Sequence, residues 1–128
     1  MDKIFLGKEL VAIRVRSFPR KKGTYPVMSR DSALQLMTMK RAKGDVAKAH
    51  RHIQKQRVTN LLQECLIVIK GTIRYDLFDT KKRCFKKVLV RAGEAILVWG
   101  VAHSVHFLEN SLIYELKNGP FIDDKEFI

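Results

Sequence analysis

From residue 65 to residue 116 the chain is a succession of short apolar or alternating segments, each closed by a turn signal. Residues 65–69 are continuously apolar and rich in β-branched side chains, ending at Lys70-Gly71. Residues 72–78 (TIRYDLF) largely alternate apolar with polar, and 79–83 form a charged turn. Further segments follow at 84–90, 95–99, 103–108 and 112–116, separated by Gly93-Glu94 and similar breaks and closed by Lys117-Asn118-Gly119-Pro120. A two-residue period puts alternate side chains on opposite faces, which is the signature of a strand. Strands this short, spaced this closely, indicate an all-β sandwich or barrel. The 65–69 and 72–78 segments are expected to pair as a hairpin.

Upstream the pattern is less regular. Residues 10–18 end in an alternation of apolar and charged residues that Pro19 stops, and a basic turn containing Gly23 runs to Pro26. Residues 34–40 mix helix formers with partial alternation; we read a strand, closed by Gly44-Asp45. The expected organisation is a single domain, with an N-terminal strand and basic loop over 1–32 and a β-barrel over 33–128. The first 30 or so residues and the 121–128 tail are expected to lie outside the barrel.

At 128 residues and 46% hydrophobic content, the chain can bury a core without disulfides. Two cysteines, Cys65 and Cys84, are too few for a disulfide framework, and both read as buried apolar thiols. No apolar run approaches the ~20 residues that span a bilayer. The opening MDKIFL lacks the apolar core and small-residue cleavage site of a secretory signal, so a cytoplasmic protein with no membrane partner is expected.

The formal charge of +12 is spread along the chain, with clusters at 20–22, 40–43, 81–83 and 86–87. Such a charge suits a solvated surface or affinity for anions. No helix-turn-helix, zinc-finger or aromatic RNA-binding motif accompanies it, so nucleic acid is a weaker expectation than a small anionic ligand.

All four histidines fall in two boxes. The first is Gly44, five residues, His50-Arg51-His52, eleven residues, Glu64, six residues, Gly71. The second is Gly93, six residues, Gly100, two residues, His103, with His106 shortly after. On a strand, His50 and His52 would share a face and Arg51 would point away. Histidine is the commonest metal ligand near neutral pH, and a carboxylate from a neighbouring strand could add a third donor. Both faces of the strand that follows Glu64 are apolar, so alternation does not decide which one looks inward. His106 lies an odd number of residues from His103 and should face away from it. Each residue also has a plainer reading: a histidine as a polar surface residue, and Trp99 and Tyr114 as core rather than pocket lining.

These boxes resemble the two motifs of the cupin superfamily, small jelly-roll β-barrels that hold a metal inside the barrel. The Gly44–His52 and Glu64–Gly71 spacings match the first motif, and Gly100-Val101-Ala102-His103 matches the core of the second. The run Tyr114 to Phe121, with Asp124-Lys125, resembles the ending of the WbuC-type cupin-fold metalloproteins. Three features depart from the pattern. Eleven residues separate His52 from Glu64, where cupins usually have three or four. Val98 stands where the second motif usually has proline, with the Gly93 spacing one residue short, and Phe107 stands where it usually ends in asparagine. A longer loop over 53–63 would absorb the first difference at small entropic cost.

The resemblance implies a metal site formed by His50, His52, Glu64 and His103. Such a donor set suits Fe, Mn, Ni, Cu or Zn. It implies a link to sugar or surface-polysaccharide metabolism, with a metal-dependent isomerase or oxygenase as the candidate activity. The charge would suit a sugar nucleotide or other anion, with Lys55, Arg57 or Arg74 as contacts. The alternatives are a non-catalytic ligand or metal sensor, and a basic nucleic-acid-associated protein on a cupin scaffold. Exposed strand edges make a homodimer a further expectation.

Overall fold

Alternation along the strands decides which side chains share a core. In the computed structural model, which describes all 128 residues, 47% lie in strands and none in a helix, so the all-β expectation is met. In chain order the strands are β1 (Asp2–Leu6), β2 (Glu9–Val15), β3 (Gly23–Pro26), β4 (Met37–Lys40) and β5 (Gln63–Lys70). They continue with β6 (Thr72–Phe78), β7 (Cys84–Arg91), β8 (Ala95–Trp99), β9 (Ala102–Phe107) and β10 (Leu112–Lys117). The chain divides into two compact units, Met1–Ser17 with Leu61–Ile128, and Phe18–Asn60.

The larger unit holds a five-stranded sheet, β1-β2-β8-β5-β10, and a three-stranded sheet, β7-β6-β9, both antiparallel throughout. One core joins them. Ile4, Ala12, Leu66, Val68, Ile96 and Val98 come from the first sheet, and Ile73, Tyr75, Leu77, Val88 and Val90 from the second. Burying a side chain of this size contributes roughly 1.5–3 kcal/mol. With Leu66 and Val68 in this core, the two-residue period places Glu64 on the same inner face of β5. The opposite face is buried as well: Cys65 pairs in register with Leu97, and Leu97 with Ile13, and all three are buried. That double burial is why this strand reads as continuously apolar.

Two expectations are corrected by the pairing. β5 and β6 do not form a hairpin; β5 pairs with β8 and β10, and β6 with β7 and β9. Only Gly71 separates them, fewer residues than the two of a tight hairpin turn. Its φ of +88° and the closeness of the Asn110 carbonyl, 2.7 Å from where a Cβ would sit, explain the glycine. The N-terminal residues, expected to lie outside, instead supply β1 and β2, with Val11, Ala12, Ile13 and Val15 buried. β2 is hydrogen-bonded to β8, so this segment is integral to the larger sheet.

The turn at 79–83 is held by Asp79, whose carboxylate accepts from the backbone N–H groups of Lys81 and Arg83 at 2.9 and 3.0 Å. Cys65 is buried, but Cys84 is exposed, contrary to the reading of both as buried thiols. Cys84 opens β7 beside the bulge opposite Leu77 and Phe78, where the strand has not yet entered the core.

In the smaller unit β3 pairs with β4, with Pro26 opposite Met37 and Gly23 opposite Lys40. The basic turn expected around Gly23 is thus partly strand. Val27 and Met28, just after β3, are buried, and the Val27 N–H donates to the Leu36 carbonyl at 2.9 Å. Lys22 and Asp45 form an ion pair of 2.5 Å. Residues 45–62 have no regular secondary structure.

Candidate functional site

Glu64 and His103, expected to serve together, do meet. Glu64 stands on the inner face of β5, and His103 is opposite Leu77 on β9, so the two come from different sheets. His103 Nε2 lies 3.0 Å from Glu64 Oε2, with the side chains 26% and 14% exposed. The other nitrogen, Nδ1, lies 3.1 Å from the Val101 carbonyl oxygen. A carbonyl only accepts, so Nδ1 carries a proton and the ring is held with Nε2 towards the carboxylate. The ring of buried Tyr75 supports it, with centroids 5.4 Å apart at 37°.

The second carboxylate oxygen is engaged too. Lys117, opposite Glu64 on β10, places Nζ 2.9 Å from Oε1 and also 3.4 Å from Glu115. Next to it, Asn118 pins the start of β5, accepting from the Gln63 N–H at 2.7 Å and donating to the Leu61 carbonyl at 3.0 Å. Bonding to His103, reinforced by Lys117 against the opposing effect of burial, holds the Glu64 carboxyl down at about 2. Bonding to Glu64 raises His103 above its ordinary value, again against burial. Glu64 likewise raises Lys117. Burial pushes Tyr75 upwards and the Cys65 thiol up to about 11, so both stay protonated at neutral pH.

Lys117, Glu115 and Tyr75 were not singled out as site residues. The available signal was the alternation Ile113-Glu115-Lys117, which puts two charges on the face of β10 that Ile113 turns to the core.

His50 and His52 are placed differently. They lie in the exposed 45–62 stretch, not on a strand, so the expected face-sharing by strand alternation does not apply. Eight of the eleven residues in the surrounding AKAHRHIQKQR are polar, and its one large apolar side chain, Ile53, is 74% exposed, so nothing there anchors a strand to a core. The two rings nonetheless meet edge to face, with centroids 5.2 Å apart at 77°. His50 Nδ1 is 2.7 Å from the Lys48 carbonyl oxygen.

His106 faces away from His103. Its Nε2 is 3.0 Å from Ser104 Oγ and 3.5 Å from Asp76, which Arg74 grips through two bonds of 2.7 and 3.0 Å. One nitrogen meets both Ser104 and Asp76, so this is no serine–histidine–aspartate relay, which needs the two ring nitrogens on different partners. Arg74, a suggested anion contact, is thus engaged, and bonding to it lowers Asp76. Arg57 donates to the Lys55 carbonyl at 3.3 Å, and both side chains lie in the exposed stretch. Tyr114 is 67% exposed, and Trp99 is half-buried.

No three or more His, Cys, Asp or Glu side chains gather into a group able to hold an ion. No helix is long and apolar enough to cross a membrane. The chain matches no family model, no curated protein and no solved structure.

Proposed function

We propose that the chain is a cytoplasmic, cupin-type jelly-roll protein that binds one divalent metal, with Glu64 and His103 as donors from the larger unit. The observation that supports this most is the 3.0 Å approach of His103 Nε2 to Glu64 Oε2 from two different sheets. An imidazole nitrogen and a carboxylate oxygen on one inner face suit a borderline ion such as Fe, Mn, Ni, Cu or Zn. The Val101 carbonyl fixes the tautomer, as outer partners of metal-ligating histidines do. Glu64, held at about 2, is a carboxylate throughout the neutral range.

A bound ion would supply Lewis acidity or a redox centre, the chemistry of an isomerase or an oxygenase. The residues themselves orient and hold protons. Deprotonated at Nε2, His103 would present a lone pair where it now pairs with Glu64. Lys117 would remain on the second oxygen of Glu64, offsetting negative charge and offering a cation to an anionic ligand. The net charge of +12 fits a sugar phosphate or sugar nucleotide as that ligand.

A specific observation favours a second, non-catalytic reading. Both oxygens of Glu64 are already satisfied, by His103 and Lys117, which is the state of a structural ion triad or of a sensor awaiting its ligand.

Elemental analysis of the purified full-length chain tests the proposal. One equivalent of metal is expected, lost in Glu64→Gln with His103→Ala. No stoichiometric metal, together with unchanged thermal stability on metal addition, would overturn it. Metal without turnover on a panel of sugar nucleotides selects the sensor. Molar mass in solution tests the homodimer that goes with this reading.

A further inference from the structure

β1 and β7 are edge strands, β1 pairing only with β2 and β7 only with β6. Residues 2–5, 14 and 85–88 line a cavity of about 510 Å³. Small-ligand pockets usually measure ~300–1,000 Å³. Four of the lining residues are cations, Lys3, Arg14, Lys86 and Lys87, against one carboxylate, Asp2. Asp2 is engaged by Arg14, at 2.8 Å from Nε and 2.6 Å from a terminal nitrogen. The guanidinium also donates to the Leu89 carbonyl at 2.7 Å, so it forms a fixed, neutralised wall. Lys87 lies near the Asp76 carboxylate, which it helps to lower, so Lys3 and Lys86 are left as the unpaired charge of the groove.

Two aromatic rings complete the lining. Phe5 is 49% exposed, and Phe85 packs against the core. Edge lysines alone serve to stop strand edges pairing with other chains, and that role needs neither a cavity nor an aromatic wall. Cations beside accessible rings are how nucleotides and single strands are held, by phosphate neutralisation and base stacking. We propose that the β1–β7 groove binds a phosphate-bearing nucleobase, free as a mononucleotide or as a unit of a single strand. Lys3 and Lys86 take the phosphate, and Phe5 with Phe85 receives the base. Exposed Lys81 and Lys82, in the turn leading into β7, add positive charge close to it in the chain, while Arg83 is paired with Asp79 at 2.9 Å. None of these residues is a proposed metal donor, so this site stands or falls separately.

Fluorescence anisotropy with labelled dT12, competed by UMP, by unlabelled dT12 and by inorganic polyphosphate, tests the proposal on the full-length chain. Phe5→Leu is expected to weaken dT12 binding by about 5- to 150-fold, the loss of one stacked base. Lys3→Gln with Lys86→Gln is expected to lower the salt slope by about 1.4, or ~0.7 for each lost phosphate contact. Lys21→Gln with Lys43→Gln, the same charge change in the smaller unit, should leave affinity within about twofold. Phe85→Leu keeps the core filled while removing the ring, and thermal unfolding verifies that each variant is folded. Competition by UMP assigns the free nucleotide as ligand; competition by dT12 alone assigns the strand. Equal competition by polyphosphate with no effect of Phe5→Leu, or no binding at all, overturns the proposal.

Discussion

His103 and His50 share one local device, since each has Nδ1 close to the backbone carbonyl two residues before it, at 3.1 and 2.7 Å. Their surroundings differ completely. His103 stands on β9 opposite buried Leu77, with Tyr75 beside its ring and Glu64 on its other nitrogen. His50 lies in a stretch without regular structure, and its ring meets only that of His52. A backbone tether orients an imidazole locally. A partner that raises its proton affinity comes only where strand alternation and a core bring other elements to it. The difference lies in the neighbouring sequence: Ile73, Tyr75 and Leu77 alternate into the core on β6, which pairs with β9, whereas Val46, Ile53 and Val58 in 45–62 are exposed.

The largest expected effect comes from removing that support. Leu77→Ala should cost ~2–5 kcal/mol by urea unfolding, because Leu77 is fully buried opposite His103 and leaves a cavity. Ile53→Ala, at a position 74% exposed in the 45–62 stretch, should stay within about 0.5 kcal/mol. Equal costs would mean that 45–62 is packed as firmly as the sheet. Next in size is a matched pair of histidine substitutions in chelator-treated protein. His103→Ala should cost ~1–3 kcal/mol by leaving Glu64 short of a charged partner, and His50→Ala close to nothing. If metal is then added, His103→Ala should lack the stabilisation that the wild type gains.

Much of this contrast was legible in the chain. The strands from 63 to 117 follow from alternation and turn residues, and so does the opposite facing of His103 and His106. Glu64 and His103 were paired by motif spacing, and Glu64's face became readable only with the register. Cys65, Leu97 and Ile13 bury the second face of the five-stranded sheet, and that burial erased the alternation in β5 that would have pointed Glu64 inward. Lys117 was hidden for a different reason. Its significance is a cross-strand pairing with a residue more than fifty positions away, which no local period encodes. β5 and β6 are adjacent in the chain, but the single residue between them forbids a hairpin. At His50 and His52 the neighbouring apolar side chain, Ile53, is exposed, and without a buried face strand spacing carries no orientation.

The smallest effect is one of pH, and it separates a protonated pair from a bystander histidine. Glu64 is lowered from 4.5 to about 2 on folding, so its contribution is present above about 4.5 and is lost as pH falls towards 2. His103 is raised above 6.5, so its contribution is complete below 6.5 and is lost as pH rises through the raised value. The stabilisation from this pair in metal-free protein should therefore peak between about pH 4.5 and 6.5 and decline on both sides. It is read as the difference in unfolding free energy between the wild type and Glu64→Gln across that range, which cancels the titration of groups that Glu64 does not touch and keeps that of His103. The difference should shrink on both limbs, on the alkaline side only once the His103 proton is gone. A difference that stays constant from pH 5 to 9 would mean that Glu64 is held by Lys117 alone, since Lys117 keeps its charge past 10.5.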